Sequence, residues 1–149
     1  MTVKGIVEVS AKLKAAPRLV VLRAFQRALE AGAAPIQAAM VGLAPLGEDG
    51  LLKTNSVVKV ELDTGGQGGV ARIGYNQRKA KHSASGNEID ADSVALWLEY
   101  GHRLVGRKPH KRSLGTVPPH PFMRRALETA QGAAVAAFAD TMNGILEQD

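Results

Sequence analysis

The chain has 149 residues, a formal net charge of +5 and no cysteine. That length suits one domain, residues 1–149, with its own hydrophobic core. The absent thiols exclude cysteine catalysis, thiolate-bound metal and disulfides, and fit a reducing compartment. The opening residues alternate apolar and charged side chains, and Arg, Gln, Gly or Pro interrupts every later apolar stretch. Neither a signal peptide nor a membrane span is therefore expected, and the chain reads as soluble and intracellular.

Residues 1–16 read as an N-terminal arm or short strand, with weak alternation from Ile6 to Lys12. Pro17 stands at a helix start. Leu22, Phe25, Leu29, Ile36, Met40 and Leu43, with Ala33 between them, recur in steps of three and four and predict one helix face. Pro35 inside that pattern predicts a kink or a break near residues 31–34. Ala44-Pro45 and Gly47 end the helix, and residues 46–54 read as a loop.

Val57, Val58 and Val60 mark a strand over residues 56–62, and residues 70–75 alternate as a second. Between them Thr64-Gly65-Gly66-Gln67-Gly68-Gly69 is turn chemistry, which predicts an antiparallel hairpin with a flexible tip. It lacks the Gly-Lys-Ser/Thr ending of a phosphate loop. Residues 77–90 are polar, long for a bare connection, and read as a mobile segment. Asp92 or Ser93 then caps a short helix through Glu99, or the segment is extended; its period fits both.

Residues 101–127 hold seven Lys or Arg (Arg103, Arg107, Lys108, Lys111, Arg112, Arg124 and Arg125) and no Asp or Glu. The remainder carries twelve basic and fourteen acidic residues, so the whole basic excess sits in this one stretch. Residues 101–120 are expected to form a basic arm or loop. Trp97, beside Tyr100, and Phe122 are expected to be buried and to pin its two ends. Pro121 sets φ for a second long helix, with Met123, Leu127, Ala130, Ala134, Phe138, Met142 and Ile145 on its apolar face. The expected fold class is α+β: a small antiparallel sheet packed against two long amphipathic helices, with extended loops.

Four stretches, in this order and spacing, carry a resemblance. The first is the Ala-rich helix ending in Ala44-Pro45. The second is Gly50-Leu51-Leu52-Lys53-Thr54-Asn55-Ser56-Val57, similar to Thr-Gly-x-Leu-(Arg/Lys)-x-Ser-Ile. The third is Leu98-Glu99-Tyr100-Gly101, similar to Val-Glu-Phe-Gly-Thr. The fourth is Pro119-His120-Pro121-Phe122-Met123-Arg124-Arg125-Ala126-Leu127, similar to Ala-Arg-Pro-Phe-Leu-Arg-Pro-Ala-Leu. Over residues 17–145 the chain resembles the neck and tail-completion family of tailed bacteriophages, the small proteins that join the head to the tail. It departs from that pattern at Asp49, at His102 and in its long basic insert.

The resemblance implies a non-enzymatic virion protein of the head–tail junction, present in the host cytoplasm during assembly. It implies a homo-oligomeric ring, six-fold or twelve-fold, whose neighbours are head-completion or connector proteins and tail proteins. It admits either the neck protein itself or the tail terminator that caps the tail tube. The interface or arm-anchoring residues on this reading are Trp97, Glu99, Tyr100, Arg103, Arg107, Lys108, Lys111, Arg112, Phe122, Arg124 and Arg125. Glu99 reads either as a surface carboxylate or as a salt-bridge partner of Arg124 or Arg125.

Other chemistry is thinly supported. His102, His110 and His120, with Asp92 or Glu99, match no metal-ligand spacing. Ser113, His120 and Asp140 supply the letters of a triad without a nucleophile turn. No cofactor is expected. The basic stretch suits docking on an acidic neighbour, or non-specific contact with genomic DNA in a channel. A small basic nucleic-acid-binding protein is the alternative from another class. It lacks an aromatic stacking platform between Tyr100 and Phe122.

Overall fold

The computed structural model describes residues 18–45, 50–63, 68–77, 79–81, 88–105 and 113–147. The expected N-terminal arm, Pro17 and residues 64–67 of the glycine-rich tip lie outside them. The fold is α+β. The elements in chain order are α1 (Arg18–Leu43), α2 (Leu51–Thr54), β1 (Ser56–Leu62), β2 (Gly69–Tyr75), β3 (Lys79–Lys81), β4 (Glu88–Asp90), α3 (Ala91–Tyr100), β5 (His102–Val105), β6 (Ser113–Val117) and α4 (Phe122–Leu146). Among the described residues no helix is long and apolar enough to cross a membrane.

Among the described residues the strands form three two-stranded sheets: β1 with β2, β3 with β4, and β5 with β6. The first is the expected hairpin. Asp63 N–H donates to the Gly68 carbonyl at its closed end and Asn76 N–H to the Asn55 carbonyl at its open end. Eight steps forward along one strand therefore match eight steps back along the other, which makes the pair antiparallel. The other two sheets correct the sequence reading. The stretch expected to be a mobile connection holds an antiparallel pair, Lys79 opposite Asp90 and Lys81 opposite Glu88. The expected basic loop is also a hairpin at its base: His102 pairs with Val117, Arg103 with Thr116 and Leu104 with Gly115, before the register shifts at Leu104/Val105.

Two further expectations are corrected. α1 runs without a break from Arg18 to Leu43 with Pro35 inside it. The break at residues 31–34 does not occur; one lost backbone bond is tolerated in a helix stabilised along its length by side-chain packing. Residues 51–54, expected as loop, make one helical turn. That turn starts from Gly50 at φ +56° and is closed by Asn55 Nδ2 donating to the Leu51 carbonyl at 2.8 Å.

The chain divides into two compact units. One contains residues 1–36, 58–73 and 130–149. Its core is Ala24, Ala28, Met142 and Leu146, with Phe25, Phe138 and Ile145 packed against it. The rings of Phe25 and Phe138 meet edge to face at 6.2 Å, the arrangement aromatic quadrupoles favour. The alanines let the helix backbones approach closely. A Cβ on Gly32 would stand 3.1 Å from the Ala134 carbonyl oxygen.

The second unit contains residues 37–57 and 74–129. Gln37 Nε2 donates to Ser56 Oγ at 3.1 Å, tying the end of α1 to the start of β1. The Tyr75 and Phe122 rings pack at 6.1 Å. Along α4 the buried positions step by four: Phe122, Ala126, Ala130, Ala134, then Met142 and Leu146. Leu127 and Leu43, expected on the apolar faces, are exposed. Ala33, Met40, Ala130, Ala134 and Met142 are buried as the spacing predicts, whereas Ala24, Ala28, Phe122, Ala126 and Leu146 are buried one position from Phe25, Leu29, Met123, Leu127 and Ile145, because small side chains occupy many of the closest approaches.

Candidate functional site

The residues singled out from the sequence gather around α3 and the start of α4, in the second unit. The cap of α3 is Asp90, two or three residues before the caps that the sequence offered, Asp92 and Ser93. The Asp90 carboxylate accepts from Ser93 N–H at 2.7 Å and from the Ser93 hydroxyl at 2.9 Å. That satisfies a first-turn amide and puts negative charge at the positive end of the helix.

The buried face of α3 is Ala91, Ala95 and Glu99, at steps of four. Glu99 is only 6% exposed. Its Oε2 accepts from Met123 N–H at 2.9 Å and its Oε1 from Arg124 N–H at 3.2 Å. Both sequence readings of Glu99 are thereby corrected. It is neither a surface carboxylate nor bound through the guanidinium of Arg124 or Arg125, both of which are exposed. It caps the N-terminus of α4 from a distance in sequence, supplying acceptors to first-turn amides that have no partner within their own helix. Full charge on the acceptor strengthens both bonds.

Two more contacts close the same junction. His120 N–H donates to the Leu98 carbonyl at 2.6 Å. Gly101 follows at φ +73° and ψ 166°, a region essentially closed to other residues. A Cβ there would lie 2.6 Å from the Val117 carbonyl oxygen and 2.9 Å from Pro119 N. Leu98, Glu99 and Gly101 thus each engage the segment that runs from Val117 into α4. The β5–β6 hairpin leaves and rejoins the body at this clamp. Pro121 immediately precedes the helix, as expected.

Phe122, at 1% exposure, is buried as expected and is the largest fully buried side chain among the described residues. Trp97, expected to be buried as well, is 45% exposed, and Tyr100 is 66% exposed. The helix explains this. Ala91, Ala95 and Glu99 take the inner face, so Leu96, Trp97 and Tyr100 fall on the opposite one. Trp97 leans against His102 of β5, ring centroids 5.6 Å apart. Leu104, two residues along β5 and on the same side as His102, is exposed as well. An apolar outer face thus runs from α3 onto the hairpin. Arg103 and Leu114 of the hairpin are also exposed. Arg107, Lys108, His110, Lys111 and Arg112 lie outside the described residues.

Tyr75 was not singled out from the sequence. Its hydroxyl is buried without a hydrogen-bond partner among the described residues. Burial first, and then the charge of Glu99, push it up to about 12. No spacing motif marks Tyr75; only the fold brings it beside Phe122 and within the field of Glu99.

Chemically, the arrangement provides a capped helix junction, a hairpin joined at its base and an exposed aromatic face, which is a surface suited to contact with another macromolecule. Comparison of the chain with protein-family models, with curated proteins and with solved structures gave no match.

Proposed function

We propose that this chain is a structural protein of the head–tail junction of a tailed bacteriophage, a neck or tail-completion protein that assembles as a ring and works without catalysis. One observation carries the reading. Two of the stretches that bear the resemblance, Leu98-Glu99-Tyr100-Gly101 and the run from Pro119 to Leu127, bind each other through Glu99 and through the Leu98 carbonyl. The features that resemble the family are therefore coupled parts of one structural device. Their spacing has a physical reason: the carboxylate of one motif caps the helix opened by the other.

A ring subunit needs a body that stays fixed and projections that find neighbours. Here the clamp is the fixed part and the β5–β6 hairpin the projection, with the apolar outer face of α3 beside it. Exposed Trp and Tyr are the residues that carry most energy at protein interfaces, because they bury large area at little rotamer cost. The basic excess of residues 101–127 favours a neighbour of opposite charge.

Electron microscopy of lysates from a phage carrying a nonsense mutation in this gene tests the proposal. Filled heads beside separate tails of normal length are expected. Tails of uncontrolled length would make the chain the tail terminator instead, and intact infectious particles would overturn the structural role.

A further inference from the structure

The buried hydroxyl of Tyr75 has no part in the junction described above. Tyr75 ends β2 and is 5% exposed, and its Oη has no hydrogen-bond partner among the described residues. A buried donor without an acceptor is unfavourable, so few such groups persist in folded chains. The surroundings supply an acceptor. The Tyr75 ring packs on Phe122 at 6.1 Å, and Phe122 is the first residue of α4. The next two amides of that helix, Met123 N–H and Arg124 N–H, are the ones that Glu99 holds. Tyr75 also lies near enough to Glu99 for the carboxylate charge to push its hydroxyl up. One unpaired donor and one charged acceptor thus share a buried corner of the second unit.

We infer that Tyr75 is a reserve donor for Glu99 and that the carboxylate exchanges partners: in one state it accepts from Met123 and Arg124, in the other from Met123 and Tyr75. The bond to Arg124 is the one released, because it is the longer, 3.2 Å against 2.9 Å. Exposure argues the same way. Arg124 is exposed and Met123 is half-buried, so water takes over more readily at the Arg124 amide. The Tyr75 hydroxyl is out of reach of water. The exchange therefore moves the unpaired donor from a dry place to a wet one. Opposing it are the rotation of a packed side chain and the loss of one amide from the charge at the helix N-terminus. One charge-assisted hydrogen bond is lost and one gained, and a near balance of that kind is what a two-state element needs. The Leu98–His120 bond and the close approach at Gly101 involve neither oxygen of Glu99. The base of the hairpin stays closed in both states, and the opening is confined to the first turn of α4. The inference concerns the chain by itself and does not rest on the ring reading.

Amide hydrogen exchange of the purified full chain, resolved residue by residue by nuclear magnetic resonance, compares wild type with Tyr75→Phe. The variant has no second state. Exchange at Arg124 should slow by roughly tenfold or more, the weight of one hydrogen bond to a charged group. Exchange at Met123, bonded in both states, should change much less, as should Ala134 and Met142 further along α4; these amides separate the exchange of partners from a general gain in stability. Ultraviolet resonance Raman spectroscopy reads the hydroxyl itself. The chain has two tyrosines and Tyr100 is 66% exposed, so Tyr100→Phe leaves the Tyr75 signal alone with little disturbance to the fold. In that background the ring doublet should contain a component from a donating hydroxyl.

Arg124 exchange that is unchanged or faster in a folded Tyr75→Phe chain would overturn the inference. Should Tyr75→Phe fail to fold, the Raman measurement decides alone: a donating Tyr75 hydroxyl supports the exchange, and one that donates to nothing overturns it.

Discussion

Replacing Glu99 with alanine removes two acceptors from the start of α4 and changes little else, because the side chain faces inward and its neighbours on that face are alanines. The lost bonds are those to Met123 N–H at 2.9 Å and Arg124 N–H at 3.2 Å. A hydrogen bond to a charged group contributes about 1.5–3 kcal/mol net. First-turn amides can recover part of this by hydration, so the lower value applies to each, and Glu99→Ala should cost about 3 kcal/mol. Glu99→Gln keeps one acceptor and loses the charge that favours the helix N-terminus, so it should cost about 2 kcal/mol. Urea unfolding followed by far-ultraviolet circular dichroism measures this directly. With a urea dependence of about 1.5 kcal/mol per molar, the alanine variant should shift the midpoint down by roughly 2 M with the slope unchanged. A midpoint within roughly 0.3 M of wild type would show that water replaces the carboxylate at no cost, and the clamp would lose its energetic basis.

Gly101→Ala should cost about 3 kcal/mol or prevent folding, because the new Cβ meets backbone atoms on both sides; the same urea titration reads it, and an unchanged midpoint would contradict the positive φ. Tyr75→Phe should be neutral or slightly stabilising at pH 7, since it removes a buried hydroxyl without a partner. The Tyr75 hydroxyl titrates near 10 in the unfolded chain and is raised to about 12 in the fold, so its contribution is complete below pH 10 and lost as pH rises toward 12. Wild type should therefore destabilise more steeply over that window than Tyr75→Phe, which pH-dependent melting would show. Phe122→Ala should cost about 3–5 kcal/mol and Trp97→Ala less than about 1 kcal/mol, although both are large aromatic residues; equal losses in a melting comparison would refute the burial assigned to each.

The long elements were legible because their signals are local. Residues at steps of three and four announced α1 and α4, and valine alternation with a glycine turn announced β1 and β2. The short strands were not legible. Lys79–Lys81 and Glu88–Asp90 are three residues each and carry charge at four of their six positions, so neither hydrophobic period nor β propensity marks them. Pro35 gave a true local signal whose effect on helix continuity was overridden by packing. At the site, the helix start after Pro121 was legible, and the burial expected of Phe122 is observed. Glu99 was misread because its partners lie 24 and 25 residues away and are backbone amides, which have no identity in a sequence. Trp97 was misread for a different reason. Hydrophobicity places a tryptophan inside, but the fit to neighbouring segments decides which face of a short helix turns inward, and here that face carries Ala91, Ala95 and Glu99.

The clamp at Gly101 has a consequence for how such a chain can change. Because Gly101 touches Val117 and Pro119 directly, the two ends of the hairpin are joined whatever lies between them. A loop whose ends are already fixed is insensitive to its own length: doubling it adds only about 0.6 kcal/mol of closure entropy. Residues 106–112 can therefore be lengthened, shortened or exchanged for another sequence without disturbing the body that carries them. The stability of the base then rests on a carboxylate, a carbonyl and a glycine, independently of the length of chain between the two strands.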